Sequence, residues 1–137
     1  VEIKGLENLP ENGFKEVVLT GIHVASYGKD TKNTNLLQVI KKVHEIEGIE
    51  RIRLSSIEPN IVTEEFASKM ASLPKACHHF HLSLQSGCEK TLKEMNRKYT
   101  AEKYAQAAEI LRKHMPDVAL TTDIIVGFPG ETDEDFE

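Results

Sequence analysis

The chain has 137 residues, of which 39% are hydrophobic and 28% charged, and its net charge is −5. This composition excludes a disordered chain, and no apolar run approaches the roughly 20 residues that span a bilayer. The acidic balance argues against strong nucleic-acid binding by this chain alone, since such binding rests on Lys and Arg neutralising phosphates.

In chain order, the opening VEIKGLENL reads as the last turns of a helix. The N-terminal stretch has no charged-then-apolar signal pattern, which makes the cytoplasm the expected compartment. A first strand is predicted over Glu16–Gly21 (EVVLTG). Leu36, Leu37, Ile40, Val43 and His44 then form an apolar stripe at helical spacing. A second strand follows over Arg51–Ser56 (RIRLSS). Phe66, Met70 and Leu73 mark a second helix, opened by Thr63 as N-cap with Glu64 and Glu65 in its first turn. A third strand spans His79–Leu84 (HFHLSL), with Leu92 and Met95 at helical spacing beyond it. Tyr104, Ala107, Ala108, Leu111 and Met115 mark a further helix, capped by Thr100 and stopped by Pro116. The fourth strand is predicted over Val118–Val126 (VALTTDIIV). In the closing ETDEDFE, Thr132 and Asp135 form a capping box that starts another helix.

Strands alternating with helices build a parallel sheet with right-handed crossovers. A helix ending at one terminus and another starting at the other suggest a segment cut from a larger α/β unit. No linker divides the chain, so it reads as a single domain segment.

Ligands in parallel α/β folds bind beyond the C-terminal ends of the strands. Here those ends carry the polar groups: Thr20, Gly21 and His23; Ser55, Ser56 and Glu58; Ser83, Gln85, Ser86 and Gly87; then Asp123 followed by GFPGET. A carboxylate in the run TTDIIVGF is rarely buried without a partner. Gly127 and Gly130 around Pro129 mark a tight turn. Arg97 is able to reach back over the rim, and is equally readable as a solvated helix charge. The two cysteines, Cys77 and Cys88, show no C-x-x-C or other metal spacing. His78, His79 and His81 do not make a metal site either, because His78 points away from the face that the other two share.

Four strings in order, LTGIHVASYG, RIRLSSIEP, HLSLQSGCEKTLKEMNRKYT and TTDIIVGFPGETDEDF, resemble the radical S-adenosylmethionine (SAM) methylthiotransferases over nearly the whole chain. Within that family, TGIH with SYGKD looks most like the tRNA enzymes acting on N6-threonylcarbamoyladenosine at position 37. The resemblance implies a partial (βα)6 barrel with the site at its C-terminal rim. It also implies two [4Fe-4S] clusters, and a tRNA substrate held mainly by a further domain. The implied reaction is reductive cleavage of SAM and methylthiolation of C2 of the adenosine.

The same resemblance implies that Ser56, Gln85, Arg97, Asp123 and Gly127 face SAM. Ser56 falls where some relatives carry an acid. Gln85 is suited to the ribose or methionyl group, and Arg97 to the methionyl carboxylate. Asp123 is placed to accept the ribose hydroxyls, and the backbone around Gly127 to approach the adenine. The chain departs from the family pattern in having no C-x3-C-x2-C, so the cluster ligands, the auxiliary-cluster domain and the tRNA-binding domain are expected outside it. By itself the chain is expected to bind no iron and to be inactive, and Cys88 reads as a tolerated small residue. Two alternatives stand beside this reading. One is another radical SAM enzyme, acting on isopentenyladenosine in tRNA or on a ribosomal protein. The other is a cluster-free α/β nucleotide-binding module.

Overall fold

A computed structural model describes residues 5–21 and 35–137. His23 and most of the TGIHVASYGKD string lie outside the described residues.

Four short strands carry the fold: β1 (Glu16–Leu19), β2 (Arg51–Leu54), β3 (His79–His81) and β4 (Ala119–Thr121). β1 pairs in parallel with β2, and β3 with β4. Parallel bridges Ile52–Ala76 and Ile57–Leu82 join the two pairs, so the strands follow one another in sequence order. Between and after them run α1 (Leu36–His44), α2 (Glu64–Ala71), α3 (Glu89–Glu94), α4 (Ala101–His114) and α5 (Asp133–Phe136). The α/β alternation with parallel pairing matches the sequence reading.

The helix starts follow local chemistry. Thr63, Thr100 and Thr132 each accept a backbone N–H from the third residue of the helix they open. Asn35 and Gln38 exchange the two bonds of a capping box at α1, and Thr132 and Asp135 do the same at α5. Pro116 follows α4 closely, as a residue that cannot continue a helix.

Two expectations need correction. Of the opening stretch read as the last turns of a helix, residues 1–4 lie outside the described residues, Gly5 is 3-10 helical, and Leu6–Leu9 form turns leading into a 3-10 turn at Pro10–Asn12. Pro10 accounts for part of this, because its side chain packs against Gly48. That glycine sits at φ +87°, and a Cβ on it would lie 2.6 Å from Pro10 Cβ. All four strands are shorter than predicted, the fourth most of all, with regular pairing ending at Thr121. Beyond it Ile124, Ile125 and Val126 are exposed. Their apolar pattern signals a strand, but among the described residues nothing packs over them.

The helices cover one face of the sheet. Val17, Ile52, Leu54, Phe80 and Leu82 are buried in a cluster with Ile40 and Val43 of α1, Phe66 and Met70 of α2, and Leu111 of α4. Phe66 and Phe80 meet edge to face with centroids 6.1 Å apart. Burying a ring such as Phe80 is worth about 1.5–3 kcal/mol. The alternate strand residues Glu16, Val18, Arg51, Arg53, His79 and His81 lie on the opposite face. There Glu16 accepts from Arg51 at 2.7 Å and Arg53 at 3.1 Å. These two bonds, Arg51 first, hold the Glu16 carboxyl below its usual range.

Candidate functional site

Two of the polar strand ends predicted from sequence meet where β3 and β4 run out. Pairing continues past the regular ladder: Leu84 N–H donates to Thr122 Oγ1 at 3.0 Å and Gln85 N–H to the Asp123 carbonyl at 3.0 Å. Ile125 N–H in turn donates to the Gln85 carbonyl at 2.8 Å. Gln85 makes these bonds from φ +71°. A non-glycine residue held there costs on the order of 1–3 kcal/mol and persists only where its surroundings over-determine it. The ladder on both sides of Gln85 supplies that constraint, and the left-handed step turns the side chain off the strand's ordinary alternation.

Asp123 is not buried. Its side chain is 74% exposed and lies 3.4 Å from Nε2 of His81. The sequence reading of a carboxylate inside a covered strand therefore fails on burial, because among the described residues no layer covers β4 on that side. The neighbour at ion-pair distance is an imidazole. Thr121, opposite His81 in the register, places its hydroxyl 3.1 Å from His81 Nδ1 and 3.4 Å from His79 Nε2.

Arg97 is set by the end of α3. Asn96 takes the left-handed conformation at φ +58°. Its N–H donates to the Lys93 carbonyl, and that of Arg97 to the Leu92 carbonyl, both at 2.9 Å. This is the Schellman arrangement, with asparagine in the place of the usual glycine. Asn60 Nδ2 donates to the Lys98 carbonyl at 3.0 Å, tying the segment to the 3-10 turn that follows β2. The Arg97 Nε is buried and meets no acceptor among the described residues, and neither does the buried hydroxyl of Tyr99. Burial pushes the Tyr99 phenol up, with Arg97 opposing and Glu58 adding to the shift. Arg97, Tyr99 and Glu58 thus form a second polar group on the β2 side of the rim. Among the described residues no hydrogen bond or ion pair joins Arg97 to Gln85 or Asp123.

Ser56 is exposed at the β2 end, next to Ile57, whose N–H donates to the His81 carbonyl at 2.9 Å. Gly127 is exposed at φ +75° with open space where a Cβ would stand. Its N–H already donates to Glu131 Oε2 at 2.6 Å, and that of Phe128 to the same oxygen at 3.2 Å. The Phe128–Glu131 turn carries Pro129 and then Gly130 at φ +84°, closed by Glu131 N–H to the Phe128 carbonyl at 2.8 Å. This is type II turn chemistry. Any approach of Gly127 to a ligand uses its carbonyl or Cα, not its N–H.

The sequence reading singled out neither Glu131 nor the His81–Asp123 pairing. An acid four residues after a turn glycine was a possible clue to the first. The second needs the β3–β4 register. The cysteines remain apart: Cys77 N–H donates to the Ile52 carbonyl, while Cys88 Sγ lies 3.6 Å from Asp135 Oδ1. Among the described residues no three His, Cys, Asp or Glu side chains converge as a metal site, and no helix is long and apolar enough to cross a membrane.

The family profile described as the Radical SAM superfamily matches residues 2–137. Among curated proteins, the chain is similar to the tRNA-2-methylthio-N(6)-dimethylallyladenosine synthase of Thermoanaerobacter sp. (strain X514). The two are 47% identical over 98% of this chain and 29% of that protein. The enzyme of the same name from Caldicellulosiruptor saccharolyticus is 49% identical over 96% of this chain and 28% of its own length. The threonylcarbamoyladenosine tRNA methylthiotransferase of Bacillus subtilis is 44% identical over 98% of this chain and 30% of its own length. The chain thus spans less than a third of the length of these relatives.

Proposed function

Because the chain belongs to the radical SAM superfamily, we propose that it is the SAM-holding segment of a tRNA methylthiotransferase, folded as part of a (βα)6 barrel. The observation that carries the reading is the meeting of a strained Gln85 and an exposed Asp123 at paired parallel strand ends. The polar face of the sheet, which no helix covers among the described residues, supports the barrel, since parallel sheets rarely leave a face open to water.

The residues present fit SAM. Asp123 offers an exposed carboxylate to ribose hydroxyls. Gln85 offers an amide beside it, and Ser56 a hydroxyl at the next strand end. Arg97, whose Nε lacks an acceptor, offers a guanidinium fork matched to the methionyl carboxylate. Gly127 leaves room for the adenine. Bound SAM would supply the hydrogen-abstracting fragment on reductive cleavage, and a second SAM that is not reduced would supply the methyl group, while the chain's own residues would bind and orient it.

The residues present do not fit a [4Fe-4S] cluster, which needs several thiolates at one place. The chain's two cysteines occupy separate environments. In this proposal the ligands of both clusters, and the principal tRNA-binding surface, belong to other parts of a longer, cytoplasmic enzyme. No step through a cluster is assigned to this chain.

The proposed substrate is N6-threonylcarbamoyladenosine in tRNA, supported by the TGIHVASYGKD string. The dimethylallyl-type nucleoside is the second reading, favoured by the somewhat higher identity of the synthases that bear that name. Nucleoside mass spectrometry of tRNA from a host lacking the gene, with and without the full-length enzyme, separates them. Restoration of the methylthio mark on the dimethylallyl nucleoside alone would overturn the first. The site assignment is tested in the cluster-reconstituted, full-length enzyme. Arg97→Ala and Asp123→Ala should each weaken SAM binding at least tenfold, and unchanged affinity would remove the assigned role.

A further inference from the structure

The loop that carries Gly127 is bonded to its surroundings at both ends. At its start, Ile125 N–H donates to the Gln85 carbonyl at 2.8 Å. At its end, Lys90 of α3 reaches across. Its Nζ donates to the Gly130 carbonyl at 3.3 Å and to Asp135 Oδ2 at 2.7 Å. The same Oδ2 accepts the Thr132 N–H at 3.0 Å, and Asp135 Oδ1 accepts from Cys88 Sγ at 3.6 Å. One ammonium thus holds a turn carbonyl and the carboxylate of the α5 capping box together. Neither the family match nor the strand-end argument assigns it a role.

The two glycines of the loop stand in different surroundings. A Cβ on Gly127 would meet nothing within 4 Å, whereas one on Gly130 would lie 3.7 Å from Glu94 Oε2. Lys90 and Glu94 are four residues apart and so share one side of α3. The loop therefore rests on α3 at Gly130 and is open at Gly127. Among the described residues α5 buries none of its side chains, and these polar bonds are what attach it to α3. The Asp135 side chain is 16% exposed and that of Lys90 51%. An ion pair with so exposed a member adds little to global stability. What it fixes is local, namely where a short surface loop stands.

We propose that Lys90 is a positioning residue for the Gly127–Thr132 loop, and through it for the adenine end of bound SAM. This rests on the reading of Gly127 as adenine-facing. Glu131 ties the loop to itself through the Gly127 and Phe128 N–H groups. Lys90 ties that closed unit to α3. A loop already held in its bound place loses less freedom when a ligand arrives.

The test uses the full-length, cluster-reconstituted enzyme and two variants. Lys90→Met keeps the stem and removes the ammonium; Lys90→Arg keeps a charged donor. In Lys90→Met, hydrogen–deuterium exchange read by mass spectrometry should quicken roughly fivefold or more over residues 125–132, while the buried β3 and α4 segments stay protected and control for folding. Equilibrium dialysis should show SAM binding weakened about three- to tenfold. Methionine, which lacks the adenine, should keep the parent's affinity when measured by displacement of labelled SAM. Lys90→Arg should recover most of the SAM affinity. Unchanged exchange in Lys90→Met would overturn the positioning role and leave the reading of Gly127 standing. Quickened exchange with unchanged SAM affinity would remove Gly127 from the adenine, and the role of Lys90 with it. Equal losses for SAM and methionine, or no recovery by arginine, would also overturn the role of Lys90.

Discussion

Gln85 donates its backbone N–H to the carbonyl of Asp123 at 3.0 Å while holding φ +71°. The two residues assigned to the ligand are therefore locked together by main chain, and the strain sits on the one whose side chain is redirected. Gln85→Gly should leave stability unchanged or raise it by up to about 1 kcal/mol, because glycine enters the left-handed region freely. It should still weaken SAM binding by the full-length enzyme. Gln85→Val, β-branched at positive φ, should cost more than about 1 kcal/mol. Urea midpoints rank the three proteins, and a glycine variant less stable than the parent would show that the side chain is structural.

Asn96 stands at the C′ position of a Schellman cap, and its conformation sets the backbone of Arg97. Asn96→Gly should be neutral or stabilising, and Asn96→Val should cost about 1–2 kcal/mol. In the full-length enzyme the valine variant should also lose SAM affinity without touching SAM itself. Chemical denaturation alongside dialysis checks both. Full affinity in a folded valine variant would detach Arg97's role from the cap.

Glu131 gathers the N–H groups of Gly127 and Phe128 on one carboxylate oxygen. Glu131→Ala removes the one acceptor that both N–H groups share, and hydrogen bonds to charged groups contribute about 1.5–3 kcal/mol each. Because the turn is largely exposed, the effect should be local. Amide exchange at Gly127 and Phe128 should quicken at least tenfold, while the amides of the buried core stay protected. Unchanged exchange at these two amides would show that the Pro129–Gly130 turn holds the loop unaided.

Glu64 opens α2 and accepts from Lys113 at 2.8 Å, and from His114, at the end of α4. The Lys113 bond first, then that from His114, holds the Glu64 carboxyl below its ordinary 4.5. A depressed folded-state value means that the stabilisation is present above the unfolded value and is lost as pH falls through the lower, folded one. The Tm gap between the parent and Glu64→Gln should be widest near neutrality and close in acid. A gap that widened on acidification would reverse the assignment. The pair is exposed, so the gap should be small and salt-sensitive.

What the residues alone determined here is what short-range physics controls. Threonine caps at 63, 100 and 132 were legible because a hydroxyl three residues before a free N–H is a local arrangement. Strand and helix order was legible because the apolar period changes along the chain. The rim followed from polar residues clustering after each apolar strand. The resemblance of four ordered strings pointed to the superfamily before any geometry. Only the tertiary structure decided which of those polar groups meet. The parallel register brings Thr121 to His81, and the continued pairing past the strand ends brings Asp123 to Gln85, residues nearly forty positions apart. It also decided burial: TTDIIV has the composition of a covered strand, yet its residues are exposed, because burial depends on what packs against a segment and not on the segment. Gln85 at positive φ was invisible for the same reason. Its own propensity opposes the conformation, and the long-range hydrogen bonds on either side override it.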